Sequence, residues 1–188
     1  MRDVTYGQDC DITHERLVTR INSDLAGNFG NLAQRSLSMI AKNCDGKVPQ
    51  PGEFTPDDKA LLDKAYGALE QIRTQMEAQA YHKALEVIWS VLDDGNKYVD
   101  AQAPSKLKKE DPARMATVLY VLAEVVRVCA ILALPYMPDA LSKMLDQLAV
   151  AEDKRNYAEL TEQGALAAGT DLPKPQGVFP RFVEPEEE

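Results

Sequence analysis

The sequence predicts an all-α protein: a single-domain helical bundle of about five main helices, finished by an extended C-terminal tail. Apolar residues recur at spacings of three and four in successive stretches, as a helix face turned to a core requires. Two of those stretches open with an N-cap residue directly before proline, Thr55-Pro56 and Asp111-Pro112. With 45% hydrophobic residues in 188, modest Gly and Pro, and few aromatics, the chain carries enough apolar surface for one core. The expected organisation is a connector at 1–12, the bundle at 13–150, and at 151–188 a weak helix and extended tail with an acidic, disordered end.

Residues 1–12 read as irregular, with Gly7, Gln8 and Asp9 ahead of the first helix. That helix is expected from about 13 to 42, its apolar face formed by Leu17, Ile21, Leu25, Phe29, Leu32 and Ile40, and 43–46 supply turn chemistry for its end. Pro49, Pro51 and Gly52 make the next stretch a loop. Thr55 and Pro56 then open a second helix reaching about 79, with Asp57 and Asp58 where the helix dipole favours acids and with Leu62, Ala65, Leu69, Ile72 and Met76 buried. The third follows almost without a gap on Tyr81, Leu85, Ile88, Leu92 and Val99, and Trp89 reads as a residue of the core or its edge. Pro104 should end it, leaving 103–109 as a loop. From Pro112 to about 134, Val118, Leu119, Leu122, Val125, Val126 and Ile131 cover a wide arc, which marks the most buried helix. Pro135 and Pro138 force a break before a shorter helix at about 139–148, which closes the core with Leu141, Met144 and Leu145. A weak helix at 153–164 is followed by an extended run over 172–182, whose Val178, Phe179 and Phe182 are available to pack, and then by disorder at 184–188.

Several function classes are excluded by what the sequence lacks. Three cysteines, Cys10, Cys44 and Cys129, form no C-x-x-C pair, which argues against a disulfide framework or zinc ribbon and fits a reducing cytoplasm. The chain shows no leader, and its most apolar run, 118–137, is interrupted by Glu124 and Arg127, so neither secretion nor membrane spanning is expected. Two histidines, His14 and His82, leave little for a metal site or general-base catalysis, and Cys10 with His14 lacks further ligands. A phosphate loop and the E-x-x-H of di-iron bundles are absent, so no catalytic residue, metal or cofactor is expected.

The first helix also carries a polar row. Gly27, Asn31 and Arg35 share a face, and an amide one turn from a guanidinium can read a base edge or grip a phosphate. Gly27 and Gly30 each cost roughly 1 kcal/mol inside a helix, so something approaches the backbone there. Taken by themselves, these residues fit a solvated row beside glycines that admit a neighbouring helix better than they fit a contact site. The formal charge of −9 is unfavourable for nucleic-acid binding, although Lys106, Lys108 and Lys109 form a local basic cluster, either a phosphate contact or a solvated loop.

The run Asp24-Leu-Ala … Gly30-Asn-Leu-Ala-Gln-Arg35 resembles the first helix of the anticodon-binding domain of bacterial methionyl-tRNA synthetase, a class I aminoacyl-tRNA synthetase. Three further segments, 98–104, 111–124 and 172–181, agree in order and spacing, and 2–9 is similar to the segment by which that family leaves its catalytic domain. The resemblance covers nearly the whole chain. It implies a cytoplasmic tRNA-binding module for the CAU anticodon loop of methionine tRNA, working with a synthetase catalytic domain in cis or trans. Neither His-Ile-Gly-His nor Lys-Met-Ser-Lys-Ser occurs, so no aminoacylation by this chain alone is expected. The family reads the anticodon with an Asn and an Arg of the first helix, matched by Asn31 and Arg35, and with a Trp directly after Ala-Pro, where this chain has Ser105 after Pro104. Gly27 stands where many relatives have Asn, with Asn28 beside it. The expected RNA-binding set is Asn31, Arg35, Gly27, Asn28, Pro104, Ser105, Lys106 and Lys108. An aromatic platform under a base contributes about 1–3 kcal/mol, so Ser105 weakens the expected reading. The alternative is a free-standing paralogue or protein-interaction module that kept the bundle and lost the code.

Overall fold

The computed structural model of the protein describes all residues except 1, 3, 8, 10 and 185–188. Cys10, not expected to ligate a metal with His14, and the acidic end at 185–188 therefore lie outside the described residues; Glu184, inside them, accepts a hydrogen bond from His14 at 2.7 Å.

Helices begin where the sequence offers caps. Thr13 accepts the Arg16 amide at 3.2 Å and opens α1 (His14–Arg20). The chain continues as a π-helix over Ile21–Gly30 and returns to α geometry in α2 (Asn31–Asn43), so one continuous rod with a wider middle replaces the uniform α-helix expected. The two glycines belong to this winding. A Cβ at Gly27 would lie 2.9 Å from the Asn22 carbonyl oxygen, and one at Gly30 would lie 3.0 Å from that of Leu25. Both carbonyls are five residues back, the partners of i→i+5 winding. What approaches the backbone is the helix itself, joined at Gly30 by Phe179 of the tail at 3.3 Å.

Thr55 and Asp58 form a capping box at the start of α3 (Pro56–Glu77), which is followed by α4 (Tyr81–Gln102). A loop was expected next, but Pro104–Glu110 forms a short helix, α5. Ala103, left-handed at φ 45°, breaks α4, and the fixed φ of Pro104 then suits the first position of a new helix. Asp111 caps α6 (Pro112–Ala133) by accepting the Arg114 amide at 2.9 Å, and α7 (Pro138–Gln147) follows. The rod, α3, α4, α6 and α7 are the five main helices. In place of a weak helix at 153–164 stand three 3-10 turns, Glu152–Lys154, Tyr157–Glu159 and Glu162–Gly164; Asn156 and Thr161 cap the second and third, and these side-chain bonds to the backbone favour short turns over a continuous helix.

α6 is the central element. Every residue over 117–133 is buried, and α2, α3, α4, α5 and α7 all pack against it. By length and composition it is apolar enough to cross a membrane, yet its surface is spent on the bundle. Its two charges satisfy each other: Arg127 donates to Glu124 through Nη2 at 2.6 Å and Nε at 2.9 Å. Tyr66 and the Leu166 amide complete the Glu124 carboxylate, and a buried ion pair is tolerable only when its remaining hydrogen-bonding capacity is met. The expected apolar faces are buried or half-buried except at two ends. Leu17 is 51% exposed because α1 buries no side chain, and Met76 is 40% exposed in the last turn of α3.

The tail is strapped across the bundle by backbone and side-chain bonds. The Val48 amide donates to the Thr170 carbonyl and the Leu172 amide to that of Gly46, each at 2.8 Å. The Gln176 amide then donates to Gln147 of α7 at 2.6 Å. Val178 and Phe179 pack against the core, and Asn22 grips the Phe182 backbone from both sides, donating to its carbonyl at 3.0 Å and accepting its amide at 2.7 Å. Phe182 itself sets its ring edge against His14.

Candidate nucleic-acid interface

The rod presents the expected polar residues along its length, but the structure divides them among three settings. Gly27 and Asn31 line a groove of about 400 Å³ between the rod and the tail, together with Gly30, Gln34, Phe179 and Arg181. Asn31 is half-exposed, and among the described residues its amide has no hydrogen-bond partner. Arg35, one turn on, reaches towards α4 and forms a long contact of 3.5 Å with Asp100, both groups being solvated. Asn28 is engaged internally: it donates to Asp93 at 2.6 Å and accepts from Asn96 at 2.9 Å, which fastens the π-helix to α4. Trp89 is buried at the core edge, with its indole nitrogen donating to the Asp24 carbonyl at 3.3 Å and the Arg2 guanidinium 5.4 Å over its ring.

The remaining expected residues stand on α5. Pro104 is buried and fixes the start of that helix, whereas Ser105, Lys106 and Lys108 are exposed, as is Lys109. None of the three ammonium groups has a carboxylate partner among the described residues, so their field is open to an anion.

Behind α5 lies a polar cluster that the sequence does not reveal. Asp58, fully buried, receives both arms of the Arg114 guanidinium, the Tyr98 hydroxyl at 2.6 Å and the Thr55 amide at 3.0 Å. Burial pushes its pKa up, and the bonds from Arg114, Tyr98 and Thr55 outweigh that effect and hold the carboxyl at about 2. Arg114 also donates to Gln102 at 2.7 Å. The partners come from α3, α4 and α6, separated by as many as 59 positions, and only the cap role of Thr55 and an acidic first turn were legible locally. Asp100, Gln34 and Arg181 were likewise missed, because polar helix and tail residues carry no periodic signal of what they face.

Residues 48–188 match the family model described as the anticodon binding domain of methionyl tRNA ligase. The methionine–tRNA ligase of Brucella suis biovar 1 (strain 1330) is 55% identical over all 188 residues, and that of Mycobacterium tuberculosis (strain ATCC 25618 / H37Rv) is 51% identical over 190 aligned positions, or 99% of the chain. The chain spans 36% of the length of each of these relatives. The crystal structure of the apo form of Mycobacterium tuberculosis methionyl-tRNA synthetase superimposes with a TM-score of 0.94 at 52% identity, covering 98% of this chain and 38% of that one. The same enzyme in complex with methionyl-adenylate gives 0.92 over 96% of the chain and 36% of that one. The fold, the long internal matches and the coverage agree: this chain belongs to the family of anticodon-binding domains of methionyl-tRNA ligases.

Proposed function

We propose that this domain binds the CAU anticodon loop of methionine tRNA, in the cytoplasm and together with a synthetase catalytic domain, through the faces bearing Asn31, Arg35 and the Pro104-Ser105 turn. The observation that carries the reading is the amide of Asn31, half-exposed and without an internal partner, one helical turn from a guanidinium held only by a long, solvated contact. An amide offers both a donor and an acceptor to a base edge, and Arg35 exchanges Asp100 for phosphate or a base at little cost. Lys106 and Lys108 supply phosphate attraction beside Ser105, while Gly27 leaves the groove floor open to a base. Asn28 contributes through Asp93 and Asn96, holding the rod in place.

The test is titration with a labelled anticodon stem-loop carrying CAU, against the same hairpin with the three bases changed, at two salt concentrations. Preference for CAU and weaker binding at higher salt are expected. Arg35→Ala should abolish binding with the melting temperature unchanged; an unaltered dissociation constant overturns the assignment. Ser105→Trp should tighten binding on the order of tenfold by supplying a stacking surface.

Ser105 favours a second reading. It is exposed where a stacking aromatic is expected, and Asp93, Asp94 and Asp100 place acid along the neighbouring α4. Equal or absent binding to both hairpins would identify a bundle retained for protein contact.

A further inference from the structure

α5 is an excursion. Between the end of α4 and the start of α6 the chain swings to the edge of the bundle over 103–111, turning out at a left-handed Ala103 and back at Asp111, with α5 resting chiefly on α6 among the main helices. Only Pro104 is buried in this stretch, with Leu107 partly packed against the core, so apolar contact alone leaves its pose weakly defined. A non-glycine residue in the left-handed region is disfavoured by its Cβ and persists only where its surroundings enforce it.

The enforcing contact lies at the base of the excursion. Gln102, the last residue of α4, accepts from Arg114 Nη2 at 2.7 Å, and Asp111 accepts the Arg114 amide at 2.9 Å. The guanidinium is itself immobilised on the buried Asp58, so both ends of the excursion are tied to one residue, Gln102 to its fixed side chain and Asp111 to its backbone amide. We propose that Gln102 is a positioning residue for anticodon reading: by bonding to Arg114 it closes the base of α5 and fixes where Pro104, Ser105 and the lysines stand. The role in reading rests on the proposed anticodon function; the closure of α5 does not.

Two variants separate these statements. Gln102→Leu keeps the size and loses the acceptor, whereas Gln102→Glu keeps an acceptor for Arg114. Gln102 is half-exposed, so the fold tolerates both, whereas replacing Arg114 would strand the Asp58 charge. The first readout is hydrogen exchange at the Lys106 and Leu107 amides, which bond to the Ala103 carbonyl, and at the Asp111 amide, which bonds to that of Leu107. Exchange there should rise about tenfold in Gln102→Leu and stay at the parent rate in Gln102→Glu, with amides over 118–130 unchanged in both. The second is the CAU preference in the hairpin titration, which should fall about tenfold in Gln102→Leu and return in Gln102→Glu.

Unchanged exchange in Gln102→Leu overturns the closure whatever the RNA result. Exchange that rises throughout α6 overturns it too, by exposing a general loss of stability. Faster exchange confined to α5 with an intact CAU preference overturns the positioning role and leaves the anticodon reading standing. A parent protein without CAU preference overturns the reading, and the positioning role with it.

Discussion

Asp58 keeps its charge in the interior because donors surround it: two arms of Arg114, the Tyr98 hydroxyl and the Thr55 amide. With its carboxyl held at about 2 against an unfolded value near 4, it contributes stability that is fully present above about pH 5 and lost as pH falls towards 2. The expected size is on the order of 2 kcal/mol. Urea denaturation at pH 7, 4 and 2.5 should show this acid limb in the parent and a flatter one in Asp58→Asn, which starts from lower stability; parallel limbs would remove Asp58 as its source. At this scale the sequence was informative where chemistry is local. Thr55, Asp111 and the glycines announce caps and close approaches by their types. The Asp58 cluster is invisible for the opposite reason, since each member is an ordinary polar helix residue until the bundle brings three elements together.

Helix identity was largely legible, because five apolar stripes and two proline caps are repeated, mutually consistent signals. The winding of the rod was not. A face drawn at α spacing tolerates a wider turn, and only the pair Gly27 and Gly30 hints that a Cβ is forbidden. The two glycines predict opposite outcomes from an otherwise favourable change. Gly to Ala within a helix ordinarily stabilises, and Gly67→Ala in α3, with nothing within 4 Å of the new Cβ, should raise stability by about 0.5–1 kcal/mol. Gly27→Ala drives a methyl onto the Asn22 carbonyl and should cost about 1–2 kcal/mol. Thermal melts of the two single variants decide it; a stabilising Gly27→Ala would mean the rod relaxes to α geometry at no cost. Likewise α5 was hidden because Pro104 carries two meanings, a stop for one helix and a start for the next.

For the molecule as a whole, the tail is what joins the two ends of the described chain. It crosses from the loop at 46–48, over α7, to the π-helix, and Phe179 sets its ring 5.9 Å from that of the fully buried Phe29. Phe179→Ala should cost about 1–3 kcal/mol and raise proteolytic cutting over 174–182, measured by limited digestion at neutral pH. An unchanged digestion pattern would mean that backbone bonds alone hold the strap. The candidate site was legible to the extent that Asn31 and Arg35 sit in a run with a family likeness, while its supports at Gln102 and Arg114 arise from tertiary placement. One consequence of the wide winding reaches further. Residues wound i→i+5 advance through a smaller angle than the 100° of an α-helix, so ten of them reset the azimuth of everything upstream. The compass bearing on which α1 departs, relative to Asn31 and Arg35, is therefore written into two missing methyl groups rather than into a hinge.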